Sequence, residues 1–291
     1  MYILEQLING VCQGVIYALM AIGYSLIAGV TGLVTFTYGE VVMVGAFTSY
    51  YCFSLLGVSI IPAMLFGFVA AGILGIVIHK VCYERFLDSP KYISLICTIG
   101  MSMLIRNLAQ IVFGTETKGM PKIFGNGFIE LGLIRISYLQ ILILGVVIVL
   151  SLTLTFFFVK TKSGMALRSV SQDRKAAAFV GVNVRSTTLI GNSIGCGLGG
   201  IAGVLLALYY SNVSPIMGGT IGLKAFSSAV LGGLDNVAGA AGGGLLIGVC
   251  ENLGIMFMST GLRDVIAFTF LIIVLLVKPQ GLFGRKGVIK L

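Results

Sequence analysis

The chain has 291 residues, 57% of them hydrophobic and 10% charged, with a formal charge of +9 and a mean hydropathy of +1.07. A soluble domain carries about a quarter charged residues, so this composition excludes a water-soluble globular fold and requires a surface that faces lipid. The positive balance does not point to nucleic acid, because the cations fall in connecting loops where membrane topology accounts for them.

The N-terminus has Glu5 and no Lys or Arg before its apolar stretch, and that stretch is too long for a signal-peptide core; it is expected to stay as the first span, at residues 7–30. Charge-free runs cover 6–39, 41–78, 136–159 and 186–223, with shorter runs at 92–105, 236–250 and 265–277. A bilayer core of about 30 Å needs roughly 20 apolar residues per helix, so the longest runs must hold more than one segment. Each carries its own break: Gly57-Val58-Ser59 with Pro62 in one, Ser211-Asn212 with Pro215 and Gly218-Gly219 in the other.

Basic residues orient the spans, since short loops rich in Lys and Arg stay in the cytoplasm. Lys80, Arg85 and Lys91 mark one inner turn; Lys160, Lys162, Arg168, Arg174, Lys175 and Arg185 mark an inner loop; Lys278, Arg285, Lys286 and Lys290 mark an inner C-terminus. Residues 114–135, with Lys118, Lys122 and Arg135 partly balanced by Glu116 and Glu130, are placed outside. Spans then follow at 41–55, 60–79, 92–113, 138–159, 186–209, 238–258 and 264–277, with an outer loop at 211–220, a short returning segment at 222–234 and an external N-terminus. The expected fold is a single all-α domain, 1–291: a polytopic bundle of about eight spans with one short re-entrant or broken segment.

Gly is abundant, 41 residues, and concentrates in the second half, as in Gly195-Cys-Gly-Leu-Gly-Gly and Gly242-Gly243-Gly244. In lipid, small residues let helix backbones approach; they also permit discontinuous helices around a translocation path. A long apolar helix followed by a small-residue segment with a lone charge occurs at 7–47 and again at 186–235, in opposite directions under this topology, which has the character of an inverted repeat.

No catalytic constellation is expected: there is no Walker glycine pattern and no HExxH. The six cysteines lack CxxC or paired spacing and read as packing residues, not disulfides or metal ligands; no metal or cofactor is expected. The one histidine, His79, sits at the inner end of a span beside Lys80 and reads as an interfacial residue. An ionisable group in a bilayer is costly unless it faces protein or water. Glu40 and Glu251 are therefore candidates for lining or gating a path, or for structural pairing, with Gly39, Gly45, Gly232 and Gly233 as neighbouring candidates. Arg106, Lys224 and Asp235 read as structural charges that reach an interface.

The loop at 160–185 is too polar for lipid and too short for a domain. Asp173 followed by an alanine-rich stretch to Phe179 favours a short helix, which Gly181 would end. It reads either as a surface helix anchoring the loop or as a docking element for a soluble partner.

Four stretches, in this order, cover nearly the whole chain: Phe36-Thr-Tyr-Gly-Glu-Val-Val-Met-Val-Gly-Ala-Phe47; Gly164-Met-Ala-Leu-Arg-Ser through Gly181-Val-Asn; Gly222-Leu-Lys-Ala-Phe through Leu231-Gly-Gly-Leu-Asp to Glu251; and Val277-Lys-Pro-Gln-Gly-Leu-Phe-Gly284. Together they resemble the Liv-type permeases of branched-chain amino acid ABC importers, a group that also contains urea and amide permeases. Thr37-Tyr38 and Asp235-Asn236 depart from the usual alanine-histidine and glycine-serine pairs. The resemblance implies a type II ABC importer-like permease of a bacterial inner membrane, non-enzymatic itself. Its partners would be two cytoplasmic ATPases, a second permease subunit, identical or paralogous, and an extracytoplasmic solute-binding protein. It further implies that Ser171, Asp173, Arg174, Ala176, Ala177, Phe179, Gly181 and Val182 form the ATPase-coupling loop. A permease for urea, short amides or another small solute stays open, as does an ATPase-independent secondary transporter.

Overall fold

The computed structural model describes residues 2–86, 90–121, 127–131, 134–234, 236–256, 260–278 and 280–284. Its helices are α1 (Tyr2–Thr31), α2 (Tyr38–Leu55), α3 (Ile60–Ile78), α4 (Lys91–Phe113), α5 (Tyr138–Lys160), α6 (Lys162–Gln172), α7 (Arg174–Phe179), α8 (Val184–Tyr210), α9 (Met217–Gly232), α10 (Val237–Ile255) and α11 (Arg263–Val277). Short strands β1 (Lys118–Gly119), β2 (Phe128–Leu131), β3 (Ile134–Ser137) and β4 (Asn212–Val213) pair as β1 with β4 and β2 with β3, both antiparallel.

Six of these helices are long and apolar enough to cross a membrane: α1, α3 with the tight turns that extend it to Phe86, α4, α5, α8 and α10. This is a multi-pass helical membrane protein. α2, α9 and α11 are not among the six.

α1 and α8 form the centre of the bundle. Both are buried along most of their length, whereas α4 and α5 turn rows of apolar side chains outward, such as Ile111, Val112, Leu152 and Phe156. The centre is held by glycine contacts. α1 lies on α10 where Gly14 meets Gly248, and α8 lies on α3 where Gly200 meets Gly67; a Cβ at any of these four would run into the facing helix. Aliphatic side chains gain nothing by leaving lipid for one another, so backbone approach through glycine is the packing device available.

α2 and α9 begin inside the bundle. The Tyr38 ring packs on Gly199, fifteen residues along α8, about 22 Å from that helix's start at a rise of 1.5 Å per residue. The chain reaches this depth by returning from the end of α1 through Gly32–Thr37, pinned where Tyr24 Oη donates to the Thr35 carbonyl at 2.9 Å and accepts from the Thr35 N–H at 3.1 Å. Gly32, at φ +62°, makes the turn. On the other side, Ser211 at φ +56° ends α8, and α9 starts at Met217 with Gly218 against Gly39 and Glu40. The first turns of α2 and α9 thus meet one another in the interior.

The structure departs from the sequence expectations at several places. The expected outer loop 211–220 is already helical from Met217, because Gly218 and Gly222 can seat against Gly39 only as one helical face. Residues 114–137 carry β1, β2 and β3, and β1 pairs with β4 after α8. The 160–185 loop holds two helices where one was expected: Thr161 caps α6 by accepting from the Gly164 N–H at 3.0 Å, and Gly164, Leu167 and Val170, at three-residue spacing, give it a buried stripe. His79, expected at an interface, is buried against Tyr83 in a π-helical turn. Asp235, Lys122, Arg285, Lys286 and Lys290 lie outside the described residues.

Candidate functional site

The interior holds two separate ionic clusters. The first joins α2 to α4. Arg106 donates through Nε and Nη2 to Glu40 Oε1 at 3.0 and 2.7 Å, and Ser102 Oγ adds a third bond at 3.2 Å. Glu40 is 1% exposed and the Arg106 side chain 36%. The other carboxylate oxygen, Oε2, has no hydrogen-bond partner among the described residues and lies over Gly218, in the first turn of α9. A negative charge is favoured at a helix N-terminus, so this oxygen faces the positive end of the α9 dipole. A residue larger than glycine at 218 would displace the carboxylate, and one at 219 would press on the Arg106 guanidinium.

The second cluster joins α1, α8, α9, α10 and α11. Lys224 Nζ lies 3.0 Å from Glu251 Oε1 and 2.7 Å from Asp264 Oδ1, with the Lys224 side chain 7% exposed and that of Glu251 fully buried. Glu251 Oε2 accepts from Gln13 Nε2 at 2.7 Å and from Tyr17 Oη at 3.1 Å. Asn252 donates to Gln13 Oε1 at 2.8 Å, and both Gln13 and Arg263 donate to Tyr210 Oη, at 3.0 and 3.2 Å. Buried charges persist only when paired and hydrogen-bonded, and here each carboxylate has that company. Lys224, expected to reach an interface, is instead enclosed.

Glu40 and Glu251, considered together in the sequence, therefore belong to different clusters. Of the glycine candidates, Gly39 seats the start of α9, Gly45 packs on Gly200, and Gly232 packs on Gly239 and Ala240. Gly233, at φ +105°, is required by its backbone and lies against Gly284. Gln13, Tyr17, Ser102, Tyr210, Asn252, Arg263 and Asp264 went unrecognised in the sequence. Gln13 and Tyr17 lie four apart, on one face of a helix, and that polar stripe in an otherwise apolar run was the available signal.

At the basic end of the bundle, Asp173 caps α7 by accepting from the N–H groups of Lys175 and Ala176 at 2.9 and 3.1 Å. Gly181, at φ +86°, follows the helix. α6 and α7 share a small core with the last turns of α1: Leu26 and Val30 against Leu167, Val170 and Ala177. Arg174 turns inward to α1, and its partial burial pulls the guanidinium below its ordinary pKa. Ser171 also lies beside α1, near Gly29. Phe179 and Val180 point away, 90% and 83% exposed. Beside this element, α1, α5, α6 and the start of α10 line an open groove of about 450 Å³ with mainly apolar side chains.

The family profile described as "Branched-chain amino acid transport system / permease component" matches residues 6–275. The chain is 36% identical over its whole length to the high-affinity branched-chain amino acid transport system permease protein LivH of Salmonella typhimurium, covering 98% of it. It is also 36% identical to the corresponding protein BraD of Pseudomonas aeruginosa over 99% of this chain and 97% of BraD. A more distant relative, the probable permease LivH of Methanocaldococcus jannaschii, is 26% identical over 91% of this chain and 88% of its own length. Among solved structures, PsaBC from Streptococcus pneumoniae in complex with Fab shares the fold, with a TM-score of 0.51 and 15% identity over 94% of this chain and 91% of that one. With a family profile spanning nearly all of it, and two relatives above one-third identity end to end, the chain belongs to the branched-chain amino acid transport permease family.

Proposed function

We propose that the chain is the membrane-spanning permease subunit of an ABC importer, forming part of the translocation path for leucine, isoleucine and valine in a bacterial inner membrane. The observation that carries this is the 36% identity with the LivH and BraD permeases over nearly their whole lengths. The chain does no catalysis. An extracytoplasmic binding protein delivers the amino acid, a second permease subunit completes the path, and two ATPases bind at the basic end. The docking face is Asp173 to Val182 with Ala176, Phe179 and Gly181 at its centre, its apolar tip of Phe179 and Val180 seated in a groove on the ATPase; Ser171, beside α1, is left out of it.

The same reading takes α1–α3 and α8–α10 as an inverted repeat of a type II importer-like fold, since α1 on α10 mirrors α8 on α3 and both halves hold a helix that starts in the interior. With α2 and α11 added to the six long helices the bundle has eight spans, and α9 is the broken segment. Glu40 and Gly39, where α2 and α9 meet, are the gating residues of this scheme; Glu251, Gly45, Gly232 and Gly233 support the walls.

The test is uptake of radiolabelled leucine by proteoliposomes holding the assembled complex with its binding protein. Uptake is expected to require ATP and to be displaced by isoleucine and valine. Displacement by urea or acetamide instead, or uptake without the ATPases, would overturn the reading.

A further inference from the structure

The α6–α7 element packs on three helices of the membrane bundle: Gly164 lies on the backbone of Phe157 and Phe158 in α5, Leu167 against Gly191 in α8, and Arg174 makes a directed hydrogen bond to the end of α1. Its small core is shared with Leu26 and Val30 in the last turns of α1 and is distinct from the main core. Arg174 Nη2 donates to the Val30 carbonyl at 2.6 Å. That carbonyl is among the last four of α1, which lack partners within the helix, and a cation there also complements the helix dipole. The guanidinium lies 3.6 Å from where a Cβ on Gly32 would sit, so it is packed against the turn that starts the return segment. From Gly32 the chain runs through Thr35, held by Tyr24, to Tyr38, Gly39 and Glu40.

We propose that the basic end of α1 and the α6–α7 pair move as one rigid body during transport, with Arg174 as the positioning residue that keys them together. Displacement of α7 by a docked partner is then delivered to Gly32 and to the buried start of α2. This rests on the reading of α7 as an ATPase-docking element and adds to it the route by which docking reaches the interior. Without Arg174, α7 still presents Phe179 and Val180, but its movement no longer carries the end of α1.

The geometry supplies a direct test. A Cβ on Gly29 would lie 3.9 Å from the Cβ of Ser171 and meets nothing closer, and disulfides span Cβ separations of about 3.5–4.5 Å. In the reconstituted complex, Gly29→Cys with Ser171→Cys, once oxidised, is expected to import leucine with the wild-type ratio of leucine to ATP hydrolysed. Arg174→Ala is expected to assemble and hydrolyse ATP while that ratio falls about tenfold. The oxidised disulfide in the Arg174→Ala background is expected to restore it, a rescue that a residue needed only for folding would not show. The single-cysteine variants control for the native thiols.

If oxidation of the double variant stops import and reduction restores it, α1 and α6–α7 move against one another and the proposal is overturned. A normal ratio in Arg174→Ala overturns the role of that residue. If Arg174→Ala yields no complex, the disulfide in the otherwise native chain decides alone. A wild-type complex that imports no leucine, seen in the untreated control, overturns the underlying functional reading instead.

Discussion

The two helices that begin inside the bundle, α2 and α9, are secured by opposite means. α2 offers an acid, Glu40, held by a single arginine on α4 whose side chain is about one-third exposed. α9 offers a base, Lys224, held between two carboxylates on α10 and α11 and backed by Tyr17, Gln13 and Tyr210. The first attachment has one cation, one serine and a free carboxylate oxygen facing the start of α9. The second is a larger network crossing five helices, in which Glu251 Oε1 has the Lys224 ion pair and Asp264 reaches the surface at 47% exposure. Removing one charge should therefore cost far more on the α9 side, while the α2 side keeps the freedom a moving part requires.

The largest expected effect follows from this asymmetry. Lys224→Met leaves Glu251 buried without a cation, and unpairing a buried charge costs about 3–5 kcal/mol. Thermal unfolding of the purified complex should show a large drop in midpoint and in yield. Arg106→Met should cost less, because Arg106 is 36% exposed and its removal opens the buried Glu40 carboxylate to the surface, whereas Lys224 is 7% exposed and its loss opens nothing to Glu251. Equal losses at the two positions would remove the distinction between the two attachments. Adding Glu251→Gln to Lys224→Met should recover part of the loss, since residues of one network are coupled by about 0.5–3 kcal/mol.

A smaller effect is expected where the two halves resemble one another. Gly200→Val would push α8 off α3 at Gly67, and Gly248→Val would push α10 off α1 at Gly14. Overpacking of this kind costs about 1–3 kcal/mol, and the two variants should fall within the same range. Gly100→Val, on α4 with open space around it, is the matched control and should stay within about 0.5 kcal/mol of the parent. A large difference between the first two in unfolding midpoint would mean that the halves are packed unequally at the centre as well as at their ionic attachments.

How much of this was legible in the sequence depended on whether the signal was local. Helix positions followed from charge-free runs, because every residue of a span is subject to the same lipid constraint. The short helix after Asp173 could be placed to within a residue, since a capping carboxylate, alanines and a glycine act on their own neighbours. The partners of Glu40 and Glu251 could not be read in this way. Arg106 is 66 residues from Glu40, and Gln13 is 238 residues from Glu251, so only the packing of the helices brings them together. The interior start of α2 was hidden for the same reason: Thr35 needs Tyr24, and nothing in the local sequence marks a return into the bundle. Gly45 and Gly232 stood out as small residues near charges, yet their function in the fold is to accept the backbones of Gly200 and Gly239.

The smallest expected effect on stability, and the most specific for transport, belongs to Glu40→Gln. The amide oxygen can take the place of Oε1 and keep accepting from Arg106 and Ser102, so the volume and three hydrogen bonds are preserved. What changes is the charge: Arg106 loses its anion while keeping its hydrogen bonds, and an amide nitrogen replaces a carboxylate oxygen over Gly218, at the positive end of the α9 dipole. Interactions of this kind are worth about 0.3–1 kcal/mol, rising to about 2 where partly buried. The complex should assemble with a nearly unchanged unfolding midpoint while leucine uptake shifts by about two- to fivefold, because the contact that changes is the one between the first turns of α2 and α9. Glu251→Gln, within the larger network, should instead lower the midpoint in proportion to any loss of uptake. If Glu40→Gln behaves in that second way, Glu40 only holds the bundle together and the junction of α2 and α9 is a fixed part of the scaffold.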